Sequence, residues 1–185
     1  MNTPPDNMPR CSWCNTANPL YVAYHDHEWG VPVHDDRKLF EMLLLETFQA
    51  GLSWECILNK REAFRRAFDG FDFERIARYD EARLQALWAD ASIVRNRLKI
   101  RAAVQNARVF MDIQREAGSF DAYLWGMAGG RPVRETGRTT SPLSDRLAAD
   151  LRRRGMRFTG STVVYAYLQA VGVVNSHEEG CHLAR

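Results

Sequence analysis

Between Leu39 and Phe48 the chain reads LFEMLLLETF, an apolar run that leaves almost no polar face, so the helix it forms is expected to be buried all round. Glu46 lies inside that run. It falls three residues after Leu43, four after Met42 and seven after Leu39, on a stripe that otherwise faces the core. An unpaired carboxylate in such a place costs roughly several kcal/mol unless a donor or a cation meets it. Glu46 is therefore read as the centre of a site. The competing reading is a structural carboxylate bonded to backbone or to a tyrosine.

The rest of the chain reads as helices in one compact, all-α unit spanning residues 1–185, with residues 1–10 disordered. Asn18-Pro19 marks a turn before LYVAYHDHEWG, where Tyr21 and Tyr24 share a helical face. Asp35 or Asp36 caps the buried helix, which runs to about Ala50 and stops at Gly51. Ser53 caps the next helix, which Gly70 closes; Asp72 and Asp80 cap two short ones. ADASIVRNRLKI then turns into a long basic helix with Ile100, Val104, Ala107 and Met111 inward and Arg101 and Arg108 outward. Ser119 and Ser141-Pro142 open two further helices around a loop from Ala128 to Thr140, and the last helix ends at Gly172. No segment shows convincing strand alternation.

With 45% apolar residues and no apolar run of spanning length, the chain reads as a globular, non-membrane protein of the cytoplasm. A net charge of +2 does not by itself imply nucleic acid, but arginines crowd residues 95–108 and 131–157, which suits phosphate contacts as well as a solvated face. Cys11, Cys14, Cys56 and Cys181 read as thiols or metal ligands, Cys56 as a small core residue. His177 and Cys181 at i, i+4 can face one ion, and Cys11-Ser12-Trp13-Cys14 has C-x-x-C spacing. Spacing alone leaves these open.

The strings YxAYHDxEWGxP, QAGLSW, IVRNRxKI and NSHEEGC, in this order between Cys11 and Cys181, closely resemble the 3-methyladenine DNA glycosylase I family. The chain departs from the family pattern at Ser92, where the hairpin usually carries glycine, and at Ser176, where aspartate usually precedes the histidine. The resemblance implies a helix-hairpin-helix fold and one structural zinc on Cys11, His25, His177 and Cys181, which joins the two ends of the chain. Cys14 is the main competitor for a ligand position. His27, His34 and His182 read as surface residues.

The resemblance further implies excision repair: a monofunctional glycosylase that flips 3-methyladenine out of alkylated double-stranded DNA, hydrolyses its N-glycosidic bond and leaves an abasic site. Such a base needs a stacking platform, which Tyr21, Tyr24, Trp29 and Trp54 supply, with Trp13 at the zinc end; without the resemblance these rings read simply as core. Glu46, taken as an acceptor-only carboxylate, reads the 6-amino group of adenine and favours a cationic base. Free 3-methyladenine is the expected product ligand. DNA contacts are expected at Arg95, Arg97 and Lys99, with Leu52 as a wedge or an ordinary core leucine. Asp112 lies on the wet side of its helix, and nothing in the sequence marks Lys99 as buried or as a Schiff-base nucleophile. A monomer is expected. A non-catalytic zinc-stapled DNA-binding module and a zinc hydrolase are the competing functions.

Overall fold

The structure is a computed structural model that describes residues 8–184. Among them nine α-helices follow in order: α1 Pro19–His27, α2 Asp36–Gln49, α3 Trp54–Ala67, α4 Phe73–Ile76, α5 Glu81–Ala89, α6 Arg97–Ala117, α7 Phe120–Ala128, α8 Pro142–Arg153 and α9 Ser161–Ala170. Their starts follow from local chemistry. Asn18, Asp35, Ser53, Asp72, Asp80, Asn96, Ser119 and Ser141 each accept hydrogen bonds from first-turn amides that have no intrahelical partner.

Helix α2 forms the axis of the fold. Leu39, Phe40, Met42, Leu43, Leu45 and Phe48 are at most 1% exposed, because α3, α6, α7 and α9 pack around α2. The two other carboxylates and cations nearby are paired. Arg61 of α3 reaches Glu28 through both terminal nitrogens (2.8 and 2.9 Å) and Glu41 of α2 through Nε (2.8 Å). Lys38 adds a bond to Glu28 at 2.8 Å. Burial alone would raise Glu28; the bonds from Arg61 and Lys38 instead pull its carboxyl down to about 2. This network ties α1, α2 and α3 together beneath the future site.

Two features bring distant segments of the chain to the C-terminal stretch after α9. Gly172, at φ +71, lies so close to the Val31–Pro32 peptide that a Cβ there would sit 2.2 Å from the Val31 carbonyl carbon, so only glycine fits. The expected loop from Ala128 to Thr140 contains a two-residue strand, β1 (Val133–Arg134), paired in parallel with β2 (Val174–Asn175). Strands this short carry no alternation for a sequence reading to find.

Four expectations change. The disordered stretch 1–10 falls mostly outside the described residues, but Arg10 is held by a two-pronged ion pair to Asp26. Helix α3 ends at Ala67, before a 3-10 turn at Asp69–Phe71 in which Gly70 has φ +68. Cys56 is half-buried on α3 and not a core residue. Ser92 keeps a negative φ, its hydroxyl and amide both donating to Asp90, so the turn needs no glycine there.

Candidate functional site

A cavity of about 330 Å³ opens beside the C-terminal half of α2. Helix α1 contributes Tyr21 and Tyr24, α2 Glu46 and Gln49, α3 Trp54, and α9 Gln169. Trp13, Trp29, residues 137–139, Ser176 and Glu178 close the opposite wall. The rings form two edges: Tyr24 and Trp54 lie 5.0 Å apart on one, and Trp13 lies 4.7 Å from Trp29 and 5.5 Å from Tyr21 on the other. The five aromatic residues singled out from sequence therefore meet around one space, together with Glu46. Gln49, Gln169, Arg138, Ser176 and Glu178 were not singled out as lining residues. Polar residues on loops and helix ends carry no periodic signal, so only the fold groups them.

Glu46 is 3% exposed, and its Oε2 has no hydrogen-bond partner. With nothing to offset desolvation, burial pushes its carboxyl up to about 8. Burial thus favours the protonated carboxyl in the free protein, and a cation entering the cavity would favour the carboxylate. The same isolation raises Tyr24, first through burial and then through Glu46 and Glu28.

Beside this cavity, Cys11, His25, His177 and Cys181 bring their ligand atoms within 4.8 Å of one another, close enough to bind a metal ion. Sγ of Cys11 lies 3.5 Å from Nδ1 of His177; Sγ of Cys181 lies 3.5 Å from Nε2 of His25 and 3.6 Å from Nδ1 of His177. Tetrahedral zinc with Zn–S of about 2.3 Å and Zn–N of about 2.0–2.1 Å gives S···N edges of about 3.5 Å, so the four residues fit that ion. Each imidazole is oriented from behind. Nδ1 of His25 bonds Asp26 at 2.7 Å and Nε2 of His177 bonds the Trp29 carbonyl at 3.3 Å, leaving the other nitrogen for the cluster. Burial by itself would raise Asp26, but the bonds from Arg10 and His25 bring it down to about 2. Backbone amides of Glu178 and Leu183 donate to the two sulfurs, as thiolates require. Cys14 is outside the cluster, its Sγ directed at the Tyr21 carbonyl at 3.9 Å. His27 and His34 are exposed, and His182 is half-buried against the Pro9 carbonyl.

The basic turn between α5 and α6 presents Arg95 and Arg97 to solvent, with the Arg97 guanidinium 5.1 Å from the Trp88 ring centroid and that of Arg101 5.0 Å from it. Leu52 is 42% exposed, which excludes the core reading. Asp112 is exposed and paired with Arg115. Lys99 reverses its expectation. It is 6% exposed, burial lowers its pKa, and its ammonium donates to the carbonyls of Phe48 and Ala50. A phosphate contact is thus not its role, and neither is that of an imine-forming nucleophile, since it does not line the cavity.

Residues 13–184 match the family model described as methyladenine glycosylase. The chain is 42% identical over 180 residues to DNA-3-methyladenine glycosylase 1 of Escherichia coli (strain K12), covering 94% of this chain and 96% of that one. It is 35% identical over 178 residues to the DNA-3-methyladenine glycosylase of Haemophilus influenzae, covering 93% and 96%. Among solved structures it resembles a crystal structure of 3-methyladenine DNA glycosylase I, with a TM-score of 0.91 and 43% identity over 95% of this chain and 99% of that one. It also resembles the Staphylococcus aureus 3-methyladenine DNA glycosylase I, studied for its recognition of 3-methyladenine, with a TM-score of 0.90 and 33% identity over 96% and 97%. Similarity of this extent, over a chain that folds an isolated carboxyl into an aromatic cavity, makes the chain a member of the methyladenine glycosylase family.

Proposed function

We propose that this protein is a DNA-3-methyladenine glycosylase acting in base-excision repair, and that it flips the damaged base from duplex DNA into the cavity at Glu46. The observation that carries this reading is the buried, unpartnered Glu46 carboxyl facing an aromatic-lined space. A purely binding module has no use for such a group, which destabilises the fold wherever nothing meets it. N3-alkylated adenine in DNA is a cation. Stacked between Trp54 and Tyr24 on one side and Trp29 on the other, it gains roughly 1–3 kcal/mol from stacking and, as a cation over the rings, about 0.5–2 kcal/mol more.

As the cation enters, Glu46 gives its proton to solvent and becomes the acceptor that the 6-amino group of adenine requires. Guanine's oxygen at that position could be met only while Glu46 keeps its proton, so an alkylated guanine whose positive charge draws that proton out is left with an unpaired acceptor-to-acceptor contact. Cleavage itself needs little acid-base assistance, because breaking the bond between N9 and the sugar returns the bonding pair to the ring and expels a neutral base. Water adds to the sugar carbon and gives its proton to solvent, leaving an abasic site. Glu46 thus contributes mainly to selecting and holding the base.

The metal bound by Cys11, His25, His177 and Cys181 is read as one structural zinc. Four protein ligands leave no open position for water, so it supplies cohesion and not hydrolysis. The helix-hairpin-helix element α5–turn–α6 grips phosphates through Arg95, Arg97 and backbone amides, and Leu52 enters the base stack at the flipped site. The lining residues named above come from one chain, so the cavity needs no second copy to form, and a DNA substrate fits a protein of the cytoplasm.

The deciding experiment measures release of labelled base from methylated duplex DNA by the parent and Glu46→Gln, with folding checked by circular dichroism. The variant keeps the shape but replaces the ionisable group, so release slows by about 1.5–3 kcal/mol, the scale of a charged hydrogen bond. Unchanged release and unchanged affinity for 3-methyladenine in a folded variant would reduce Glu46 to a structural carboxyl.

A further inference from the structure

Lys99 lies in the first turn of α6, next to the basic hairpin, yet its ammonium turns away from solvent. It donates to the carbonyl of Phe48 at 2.8 Å and to that of Ala50 at 2.5 Å. These carbonyls close α2, the helix that carries Glu46. Helix α2 has no basic residue in its own last turn, so the negative end of its dipole and its unpaired carbonyls are met by a cation from another helix. Directly after Ala50 the chain turns through Gly51, at φ +82, and presents Leu52 to solvent. The Leu52 amide donates back to the Gln49 carbonyl at 2.6 Å, and Ser53 at once caps α3. The turn that carries Leu52 is therefore anchored by Lys99 at its start and by the α3 cap at its end. From the other side, Lys60 of α3 donates to the Ser92 carbonyl in the hairpin turn at 3.0 Å.

We propose that Lys99 is a positioning residue: by holding the C-terminal carbonyls of α2 it fixes the Leu52 turn against the α5–α6 hairpin, so that wedge and phosphate grip meet the duplex in one register. This rests on the DNA-binding reading given above for Leu52 and the hairpin. Lys99 touches neither base nor phosphate in this arrangement. It acts through Leu52, and its loss leaves the cavity walls in place while letting the wedge drift.

The test is a double-mutant cycle of Lys99→Met and Leu52→Ala, read as base release from methylated duplex and as binding of free 3-methyladenine. Lys99→Met slows release about ten- to a hundredfold, the scale of a misplaced reacting assembly, while free-base affinity stays within about twofold. In the Leu52→Ala background the same change adds less than about twofold, since the side chain it positions is gone. Lys99→Arg, which keeps a cation with several donors, restores most of the rate. A merely structural lysine would lower free-base binding together with release, and its effect would be undiminished without Leu52; either result overturns the proposal. If Leu52→Ala slows release and Lys99→Met does not, only this inference fails. If Leu52→Ala is silent, the wedge reading fails and this inference with it. Should Lys99→Met not fold, Lys99→Gln against Lys99→Arg makes the same comparison.

Discussion

Replacing Glu46 by glutamine should make the protein more stable, and the gain should depend on pH in a way set by one group. Burial lifts the Glu46 carboxyl from 4.5 to about 8 in the folded chain. Between those values the folded protein holds a proton that the unfolded chain has released, so the folded state binds more protons and stability falls as pH rises. The contribution is fully present below 4.5, and is lost progressively up to about 8. The slope approaches 1.4 kcal/mol per pH unit, which amounts to about 3 kcal/mol between pH 5 and pH 7.5. Glutamine does not titrate and removes this dependence. Urea unfolding of the parent and Glu46→Gln at both pH values supplies the measurement. Groups other than Glu46 are the same in both proteins, so their contributions cancel in the difference. The stability advantage of Glu46→Gln should widen by about 3 kcal/mol from pH 5 to pH 7.5. An advantage that stays constant would mean that Glu46 is already ionised and compensated in the free protein, and the argument from its isolation would be refuted.

Three further outcomes follow from the same geometry. Trp54→Ala should weaken binding of 3-methyladenine by about 1–3 kcal/mol in a titration, through lost stacking, while leaving Tyr24 and Glu46 in place. Cys181→Ser should lower bound metal, measured by elemental analysis, and melting temperature together, whereas Cys14→Ser should change neither; one zinc per chain and full stability in Cys181→Ser would contradict the ligand assignment. Arg97→Ala should weaken duplex binding and reduce the slope of log affinity against log salt by about one, and an unchanged slope would remove Arg97 from the phosphate grip.

Much of this arrangement was legible in the residues because it is local. A side-chain oxygen before an apolar run marks a helix start, and the expected caps at Ser53, Asp72, Asp80, Ser119 and Ser141 all accept the expected amides. Glu46 stood out because a helix with no polar face cannot hide a carboxylate without a reason. The metal quartet and the identity of the pocket rings came from family resemblance, since spacing links His177 to Cys181 but cannot bring Cys11 across 166 residues to His177. What escaped the sequence reading depends on tertiary approach alone. Lys99 carries the same residue type as a phosphate-binding lysine, and only the position of the α2 C-terminus turns it inward. The upward shift of the Glu46 carboxyl depends on tertiary approach in the same way. Whether a buried carboxyl ionises depends on the absence of a donor within reach, and sequence order cannot tell a missing neighbour from a present one.

Cleavage of a cationic base calls for no metal, so an ion held by Cys11, His25, His177 and Cys181 would act on the structure of the cavity and not on the reaction. The wall of the cavity opposite Trp54 is assembled from the two ends of the chain: Trp13 and Trp29 from the first, Ser176 and Glu178 from the second. No disulfide joins those ends among the described residues; Cys11, Trp29 and Cys181 belong to the apolar core, and Trp13 packs against it. The cluster lies where they meet, and its ligands are in direct contact with the wall. His177 lies edge-on to the Trp29 ring at 4.7 Å, His25 lies 5.2 Å from the Trp13 ring, and the Ser12 amide and hydroxyl bond the Glu178 carboxylate at 2.6 and 2.7 Å. An ion at this point would therefore hold the orientation of Trp13 and Trp29, two of the rings that line the cavity. Stacking rewards planes held in advance, because ordering a loose ring on binding subtracts from the affinity gained. A metal bound there would thus act on base recognition from outside the cavity, by keeping the far wall stiff, as the buried ion network at Arg61 does beneath the near wall of α1 and α3.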